Sequence, residues 1–262
     1  DEAEDFQTHV IDYFAAEYKA GRTPNPCVMC NEHLKFGRLI DRADQLGADK
    51  IATGHFARIE QDETTGRYLL KRGFDERKDQ TYFLFSLRQD QLSRALFPLG
   101  EKTKSDTRDV ARSCNLKTAE KEESMEICFV PDNDYGAFLQ KAGLAEKHQG
   151  EIVDLKGRVL GQHDGIEFYT IGQRKGLGLS SPYPLYVLEL NPTENRVVVG
   201  PVENLERDQF EVERCNWIPF ENLTAPIEVT TRIRYNHTGT PATLPPLENN
   251  RATIKLHTPQ RA

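Results

Sequence analysis

The chain has 262 residues, with 34 basic and 41 acidic side chains and therefore a formal net charge of −7. Apolar residues make up 37% of it, an ordinary share for a globular protein that excludes a disordered or collagen-like chain. No apolar run approaches the roughly 18 residues of a membrane-spanning helix, so we expect no membrane contact. The five cysteines are an odd number and no secretion signal precedes them, which argues against a disulfide framework and indicates a reducing, cytoplasmic compartment.

The first half of the sequence predicts helices and strands in alternation. Residues 4–20 place apolar side chains on one helical face and stop at a glycine. A second helix is expected to start with Asn31 as its N-cap and to end at Gly47. Residues 50–56 predict a buried strand, and residues 58–72 predict a hairpin. Two helices followed by a strand are typical of an α/β sheet.

The second half changes to a β-rich pattern. From about residue 150, short alternating runs are separated by glycine, proline and asparagine. After Leu205 the alternation is clearest over residues 209–214, 227–234 and 251–256. These runs favour a small antiparallel barrel.

Charge is unevenly distributed along the chain. Residues 67–112 hold 11 basic and 7 acidic side chains, whereas residues 113–155 hold 4 and 9. A basic block inside an acidic protein fits a local surface that faces phosphates, although solvated helix faces give the same pattern. The sequence leaves both interpretations open.

The ends of the sequence suggest a fragment. It opens at Asp1 directly in a helical pattern, its two methionines are Met29 and Met125, and it stops just after a strand-like run. We therefore expect a piece that is truncated at both ends.

The sharpest local pattern is a proline-flanked pair of cysteines in residues 21–31. Two prolines enclose Asn25, and Cys30 directly precedes the predicted N-cap, where a helix N-terminus would help a thiol to lose its proton. Four interpretations stay open: a structural zinc site, a thioredoxin-like redox pair, an iron–sulfur site that uses Cys27, Cys30 and Cys128, and sulfur transfer from a cysteine persulfide.

The remaining cysteines give weaker signals. Cys128 stands in a short strand-like run closed by Pro131, where a buried structural cysteine is the simplest interpretation. Cys114 and Cys215 lie in ordinary helical and strand patterns, and we assign both to structure.

Three further segments offer polar groups that are suited to ligands. Gly54 follows the predicted strand and would allow a nucleotide close to the backbone, with His55 next to it to contact a phosphate or base. Residues 78–80 form a polar triplet before an apolar run, which is also how a helix begins. Residues 169–178 combine glycines with paired basic side chains, as an anion-contacting loop does.

Together these motifs resemble the bacterial tRNA-specific 2-thiouridylase family (MnmA), which thiolates the wobble uridine of certain tRNAs. The resemblance covers nearly the full chain. It is carried by eight segments in the family's order: 21–31, 52–58, 78–84, 97–100, 123–131, 163–165, 169–178 and 196–200.

The resemblance implies roles for individual residues. Cys30 matches the catalytic nucleophile, Cys128 the cysteine that carries the persulfide, and Gly54 a position that binds ATP. The positions that match tRNA contacts are Asn25, Pro26 and Cys27, which meet the target base, and His55, Lys78, Asp79, Gln80, Arg234 and Tyr235.

The reaction that the resemblance implies has two halves. ATP, with Mg²⁺, adenylates the uridine carbonyl oxygen, and persulfide sulfur then displaces AMP. A sulfur-relay protein would donate the persulfide, and we expect a monomer. If a disulfide between Cys30 and Cys128 closes as sulfur leaves, their Cα atoms must come within about 7 Å.

Two departures from the family pattern are visible. The ATP-pyrophosphatase loop of the Gly-Gly-Val-Asp-Ser-Ser type is absent from the sequence, so we expect the chain as given to lack most of its ATP site and to be inactive in adenylation. Many members also carry Asp where Cys27 stands, and this third cysteine keeps an iron–sulfur cluster open as an alternative cofactor.

The implied fold has three parts. Residues 1–147 would be the remainder of an α/β, Rossmann-like adenine-nucleotide alpha-hydrolase domain, residues 148–206 a small β-rich central domain, and residues 207–262 an incomplete C-terminal β-barrel. The rival functions are a non-enzymatic RNA-binding module with a structural metal on Cys27 and Cys30, and a thioredoxin-like reductase.

Overall fold

A computed structural model describes residues 2–121 and 127–261. Two long helices open the fold, and each contains a π-helical stretch. Helix α1 consists of Ala3–Phe6, the π-helical Gln7–Asp12, and Tyr13–Lys19. Helix α2 consists of Pro26–Met29, the π-helical Cys30–Arg38, and Leu39–Gln45. A π-helical turn pairs residues five apart instead of four, so it changes which side chains share a face.

The predicted start of α2 is wrong. The helix begins at Pro26 with Asn25 in the N-cap position, because proline is well suited to the first helical position. Asn31 lies inside the helix, where it is buried, and its Nδ2 donates a hydrogen bond to the Phe83 carbonyl at 2.9 Å. The predicted extent of α1 and the stop of α2 at Gly47, which has a positive φ of 67°, are confirmed.

Short helices and strands complete the first part of the fold. They are β1 Ile51–Ala52, β2 Ala57–Gln61, β3 Tyr68–Arg72, α3 Gln89–Arg94, β4 Ala95–Leu96, α4 Lys104–Ser113 and α5 Tyr135–Lys141. Strand β1 pairs with β4 in parallel, and β2 and β3 form the predicted hairpin. Phe36, Leu84, Leu87 and Leu92 are buried in one core between these elements.

The middle of the chain forms a four-stranded sheet. Its strands are β5 Gly150–Asp154, β6 Val159–His163, β7 Tyr186–Asn191 and β8 Arg196–Gly200. The order is β6-β5-β8-β7, with β5 and β8 parallel and the other pairs antiparallel. Ile152, Val187, Val197 and Val199 fill its core.

The last part is an open, fully antiparallel sheet. Its strands are β9 Glu206–Glu213, β10 Ile227–Thr231, β11 Thr240–Leu244 and β12 Arg251–Arg261, in the order β10-β11-β12-β9. The sheet does not close, as expected for an incomplete barrel. Strand β11 was not predicted, because Pro241 stands inside it and proline argues against an interior strand.

Single-turn 3₁₀ helices connect these elements. They span Thr81–Phe83, Pro131–Asn133, Ile166–Phe168 and Val202–Leu205. None of the helices in the described ranges is long and apolar enough to cross a membrane.

The last sheet is fastened to the first part through backbone carbonyls. The Arg67 guanidinium donates to the carbonyls of Trp217 and Ile218 at 2.8 and 3.0 Å. The Asn216 side chain donates to the Leu87 carbonyl at 2.8 Å, and Ile218 packs on the first core. These contacts fix the end of β9 beside the core that also supports α2.

Candidate active site

Three cysteines from two distant segments lie in the same region of the fold. Cys27 and Cys30 lie in the first turns of α2 and are half-buried, whereas Cys128 is exposed. Burial is the main cause that raises the pKa of the Cys27 and Cys30 thiols, and charge on Cys128 raises both further. Coulombic influence of this kind requires short distances, so the fold brings Cys128 to the start of α2. The interpretation of Cys128 as a buried structural cysteine is wrong.

The environment of Cys30 differs from the expected helix N-terminus. Because α2 begins at Pro26, Cys30 is its fifth residue, and the influence of the helix dipole is strongest in the first turn. Burial therefore dominates and raises the pKa of Cys30 above its ordinary value. The expectation of a readily ionised thiol from the helix end alone is wrong.

Lys35 places a positive charge near the two thiols of α2. It lies five residues after Cys30 within the π-helical stretch, where the wider winding turns residues five apart toward one side of the helix. Its ammonium lowers the pKa of both Cys27 and Cys30, in opposition to burial. A thiolate formed here has this cation beside it.

His55 is buried behind Lys35. Its Nε2 lies 3.5 Å from the Lys35 Nζ, and its Nδ1 lies 2.7 Å from the Thr53 hydroxyl oxygen. Burial, followed by repulsion from Lys35, lowers the pKa of His55 to about 4. The imidazole is therefore neutral at physiological pH, and the ammonium on the Nε2 side places its proton on Nδ1. The Phe36 and Phe97 rings pack against the His55 imidazole, with ring centroids 5.8 and 5.6 Å from its own.

Gly54 lies at the carboxyl end of β1, beside His55. A Cβ built on it would meet only the Leu99 Cδ1 atom, at 3.7 Å, so the backbone here is open to a close approach. The carboxyl ends of parallel strands are where nucleotides bind in open α/β sheets. This position fits the adenine-nucleotide role that the resemblance gives to Gly54.

The positions expected to meet the target base surround the start of α2. Asn25 is half-buried at the N-cap and Pro26 is buried. Cys27 is half-buried beside Cys30. Asn25 and Pro26 therefore lie directly before the two cysteines of α2 in the chain.

Of the other expected tRNA contacts, His55 is the buried residue described above, and the remaining five lie in two loops that meet. In the first loop, Lys78 is half-buried, Asp79 is buried, and Gln80 accepts a hydrogen bond from the Phe56 amide at 2.9 Å. In the second, Arg234 is exposed and Tyr235 is half-buried. The exposed and half-buried members can reach a ligand directly, whereas Asp79 faces the protein.

The described ranges contain no group of three or more His, Cys, Asp or Glu side chains that could hold a metal ion. The alternative ligand set of Cys27, Cys30 and Cys128 thus gains no support as an iron–sulfur site, and neither does a structural zinc site on the first two. Residues 123–126 of the expected motif around Cys128 lie outside the described residues.

Three residues near the site were not predicted from the sequence. Lys35 and Thr53 flank His55, and Arg232 pairs with Asp79. The five-residue spacing of Lys35 from Cys30 indicates proximity only if a π-helical stretch is known. Arg232 approaches Asp79 across a separation of about 150 residues, which no local pattern reveals.

Three family profiles match the chain in succession. They are described as "tRNA methyl transferase HUP domain" over residues 1–132, "tRNA methyl transferase PRC-barrel domain" over 136–201, and "Aminomethyltransferase beta-barrel domain" over 207–262. The fold is therefore a HUP-type α/β domain followed by two β-rich domains.

Named relatives align with almost all of the sequence. The tRNA-specific 2-thiouridylase MnmA of Nostoc punctiforme is 50% identical over 257 residues, which are 97% of this chain and 73% of the relative. The protein of the same name from Heliobacterium modesticaldum is 48% identical over 259 residues, 98% of this chain and 67% of the relative. The tRNA-specific 2-thiouridylase MnmA 2 of Clostridium botulinum (strain Okra) is 45% identical over 257 residues, 98% of this chain and 72% of the relative.

Proposed function

This chain belongs to the tRNA-specific 2-thiouridylase family, and we infer from that membership that it is a sulfurtransferase which thiolates C2 of a uridine in tRNA. We propose further that the uridine is the wobble base, that the reaction consumes ATP with Mg²⁺, and that Cys128 and Cys30 perform the sulfur transfer. The observation that carries the residue assignment is the approach of exposed Cys128 to half-buried Cys30 beside Lys35.

The two cysteines differ in the way that their proposed roles require. Cys128 is exposed, so a donor protein can reach it and leave a persulfide on its Sγ. Cys30 is half-buried next to the Lys35 ammonium, which stabilises the thiolate needed for attack.

The proposed transfer balances in sulfur and electrons. The terminal sulfur of the Cys128 persulfide would bond to uridine C2, and the activated C2 oxygen would leave as part of AMP. The Cys30 thiolate then attacks the Cys128 Sγ, a Cys30–Cys128 disulfide forms, and the electron pair leaves with the sulfur that stays on the base. The two cysteines are oxidised and the transferred sulfur is reduced, so a dithiol reductant must restore both thiols before the next cycle.

ATP supplies the chemistry that turns the uridine carbonyl oxygen into a leaving group. Gly54 would hold the nucleotide near the carboxyl end of β1, because the space that a Cβ would take at this position is open. Asn25, Pro26 and Cys27 would orient the target base beside the thiols, and neutral His55 holds Lys35 in place from behind. Lys78, Gln80, Arg234 and Tyr235 would bind tRNA farther away.

The other features of the proposal follow from the substrate. We propose that the protein acts in the cytoplasm as a monomer and that a sulfur-relay protein delivers the persulfide. We retain the division into residues 1–147, 148–206 and 207–262. The rival RNA-binding module with a metal on Cys27 and Cys30 is not favoured, because the relatives are named for thiolation and the described residues provide no ligand group.

The experiment is mass spectrometry of 2-thiouridine in tRNA from cells that are depleted of the protein. The cells are resupplied from the complete gene with the wild type or with Cys30→Ser, Cys128→Ser or Cys114→Ser. Cys114 is exposed at the end of α4 and is the matched control. We expect thiolation from the wild type and Cys114→Ser alone; full activity of Cys128→Ser would overturn the persulfide assignment.

A further inference from the structure

A buried ion pair joins the two loops that the proposed function assigns to tRNA. The Asp79 carboxylate and the Arg232 guanidinium are 3.4 Å apart, with 3% and 23% of their side chains exposed. Asp79 belongs to the loop between β3 and the 3₁₀ helix Thr81–Phe83, and Arg232 directly follows β10. The pair therefore links the first domain to the last sheet.

Asp79 holds its own loop closed. Its Oδ1 accepts hydrogen bonds from the amides of Gly73 and Thr81 at 3.1 and 3.4 Å, and its Oδ2 accepts one from the Thr81 hydroxyl at 2.8 Å. Both carboxylate oxygens are thus engaged within the protein. The loop presents Lys78 and Gln80 on either side of this buried anchor.

Arg232 holds the second loop together through hydrogen bonds to its backbone carbonyls. Its Nε donates to the His237 carbonyl at 3.0 Å, one Nη donates to the Tyr235 carbonyl, and the other faces Asp79. All three guanidinium nitrogens are therefore engaged within the protein. This network fixes the turn that carries exposed Arg234.

Aromatic packing adds to the junction. The Arg232 guanidinium lies over the Tyr82 ring, 5.8 Å from its centroid. The Tyr235 ring packs against Phe83 with centroids 4.7 Å apart. Contacts of this kind favour one relative placement of the two loops.

We propose that Asp79 and Arg232 are positioning residues that hold the two loops as one tRNA-binding surface without touching tRNA themselves. The proposal rests on the proposed function, and it replaces the direct tRNA contact that the family resemblance implies for Asp79. Both loops are ordered before tRNA arrives, so binding does not have to supply the free energy of ordering them. A buried pair is suited to this task because its geometry is specific even where its net stabilisation is small.

The test compares wild type, Arg232→Gln, Asp79→Asn and the double variant, each expressed from the complete gene. The probe is an unmodified tRNA transcript with a wobble uridine, and binding is measured over a series of salt concentrations. Arg251→Gln is the matched control: it also removes one positive charge from the last sheet, but from an exposed pair with Glu213. Asp79→Asn keeps the shape of the side chain, and thermal unfolding verifies that each variant is folded.

We expect each single variant to bind tRNA about tenfold more weakly, through lost preorganisation. The double variant should lose no more tRNA affinity than either single variant, because each single substitution already breaks the same ion pair. The slope of log K against log salt should stay unchanged, whereas loss of a direct phosphate contact lowers it by about one. Binding of Arg251→Gln should match wild type.

Three results would overturn the proposal. These are wild-type binding by the folded single variants, additive losses in the double variant, or a reduced salt slope for Arg232→Gln. A wild-type protein that neither binds nor thiolates tRNA would instead refute the proposed function, so the two failures are distinguishable.

Discussion

The buried histidine beside the thiols gives the most quantitative prediction. Burial and the nearby Lys35 ammonium lower the pKa of His55 from 6.5 to about 4. Between pH 6.5 and about 4, His55 is mostly protonated in the unfolded chain but mostly neutral in the folded protein. His55 thus contributes stability that is fully present above pH 6.5 and is lost as pH falls toward 4.

The magnitude follows from the shift. One pH unit inside this window corresponds to about 1.4 kcal/mol, so lowering the pH from 7 to 5 removes about 2 kcal/mol of unfolding free energy through His55 alone. Replacement of His55 by glutamine deletes the titrating group. The loss of stability between pH 7 and pH 5 should therefore be about 2 kcal/mol smaller in His55→Gln than in wild type.

Urea unfolding at both pH values measures this difference directly. His148 is exposed, and His148→Gln serves as the control that should follow the wild-type pH dependence. The comparison uses the change with pH rather than absolute stability, so the cost of the substitution itself cancels. Equal pH dependence in wild type and His55→Gln would refute the reasoning that His55 is buried in its neutral form.

Further predictions concern the helix that carries the thiols and the hairpin packed near it. Lys35→Met should slow alkylation of Cys30 at neutral pH roughly three- to tenfold, because the cation that lowers the thiol pKa is gone; unchanged labelling rates by peptide mass spectrometry would contradict this. Asn31→Ala should lower the unfolding free energy by about 1–3 kcal/mol through loss of a buried hydrogen bond, and an unaltered urea midpoint would argue against that bond. Gly100→Ala should cost more than about 2 kcal/mol, because the new Cβ would lie 2.1 Å from the Ala57 carbonyl oxygen; a thermal midpoint equal to wild type would be inconsistent with this packing.

Much of the fold was predictable because its patterns are local. The apolar face of α1 contains Val10, Phe14 and Tyr18, which are all buried as the helical spacing predicts. The hairpin of β2 and β3 was predictable from apolar and polar residues that alternate on both sides of a glycine-containing turn. Strand β11 was missed because Pro241 violates the usual preference for interior strands.

The site was less predictable because its geometry depends on contacts that are distant in sequence. The predicted N-cap was Asn31, whereas α2 begins at Pro26, so Cys30 lies inside the helix and not directly before it. The approach of Cys128 and the pairing of Asp79 with Arg232 require the complete tertiary structure. The family resemblance supplied the cysteine roles, but spacing alone left four interpretations open.

The central claim is that Cys128 carries the sulfur and Cys30 releases it. The most direct measurement is peptide mass spectrometry of the protein after incubation with a persulfide donor, and again after a single turnover with ATP and tRNA. The account predicts a Cys128 peptide that is one sulfur atom heavier before turnover and a Cys30–Cys128 disulfide afterwards. Formation of 2-thiouridine while Cys128 stays an unmodified thiol throughout would contradict it.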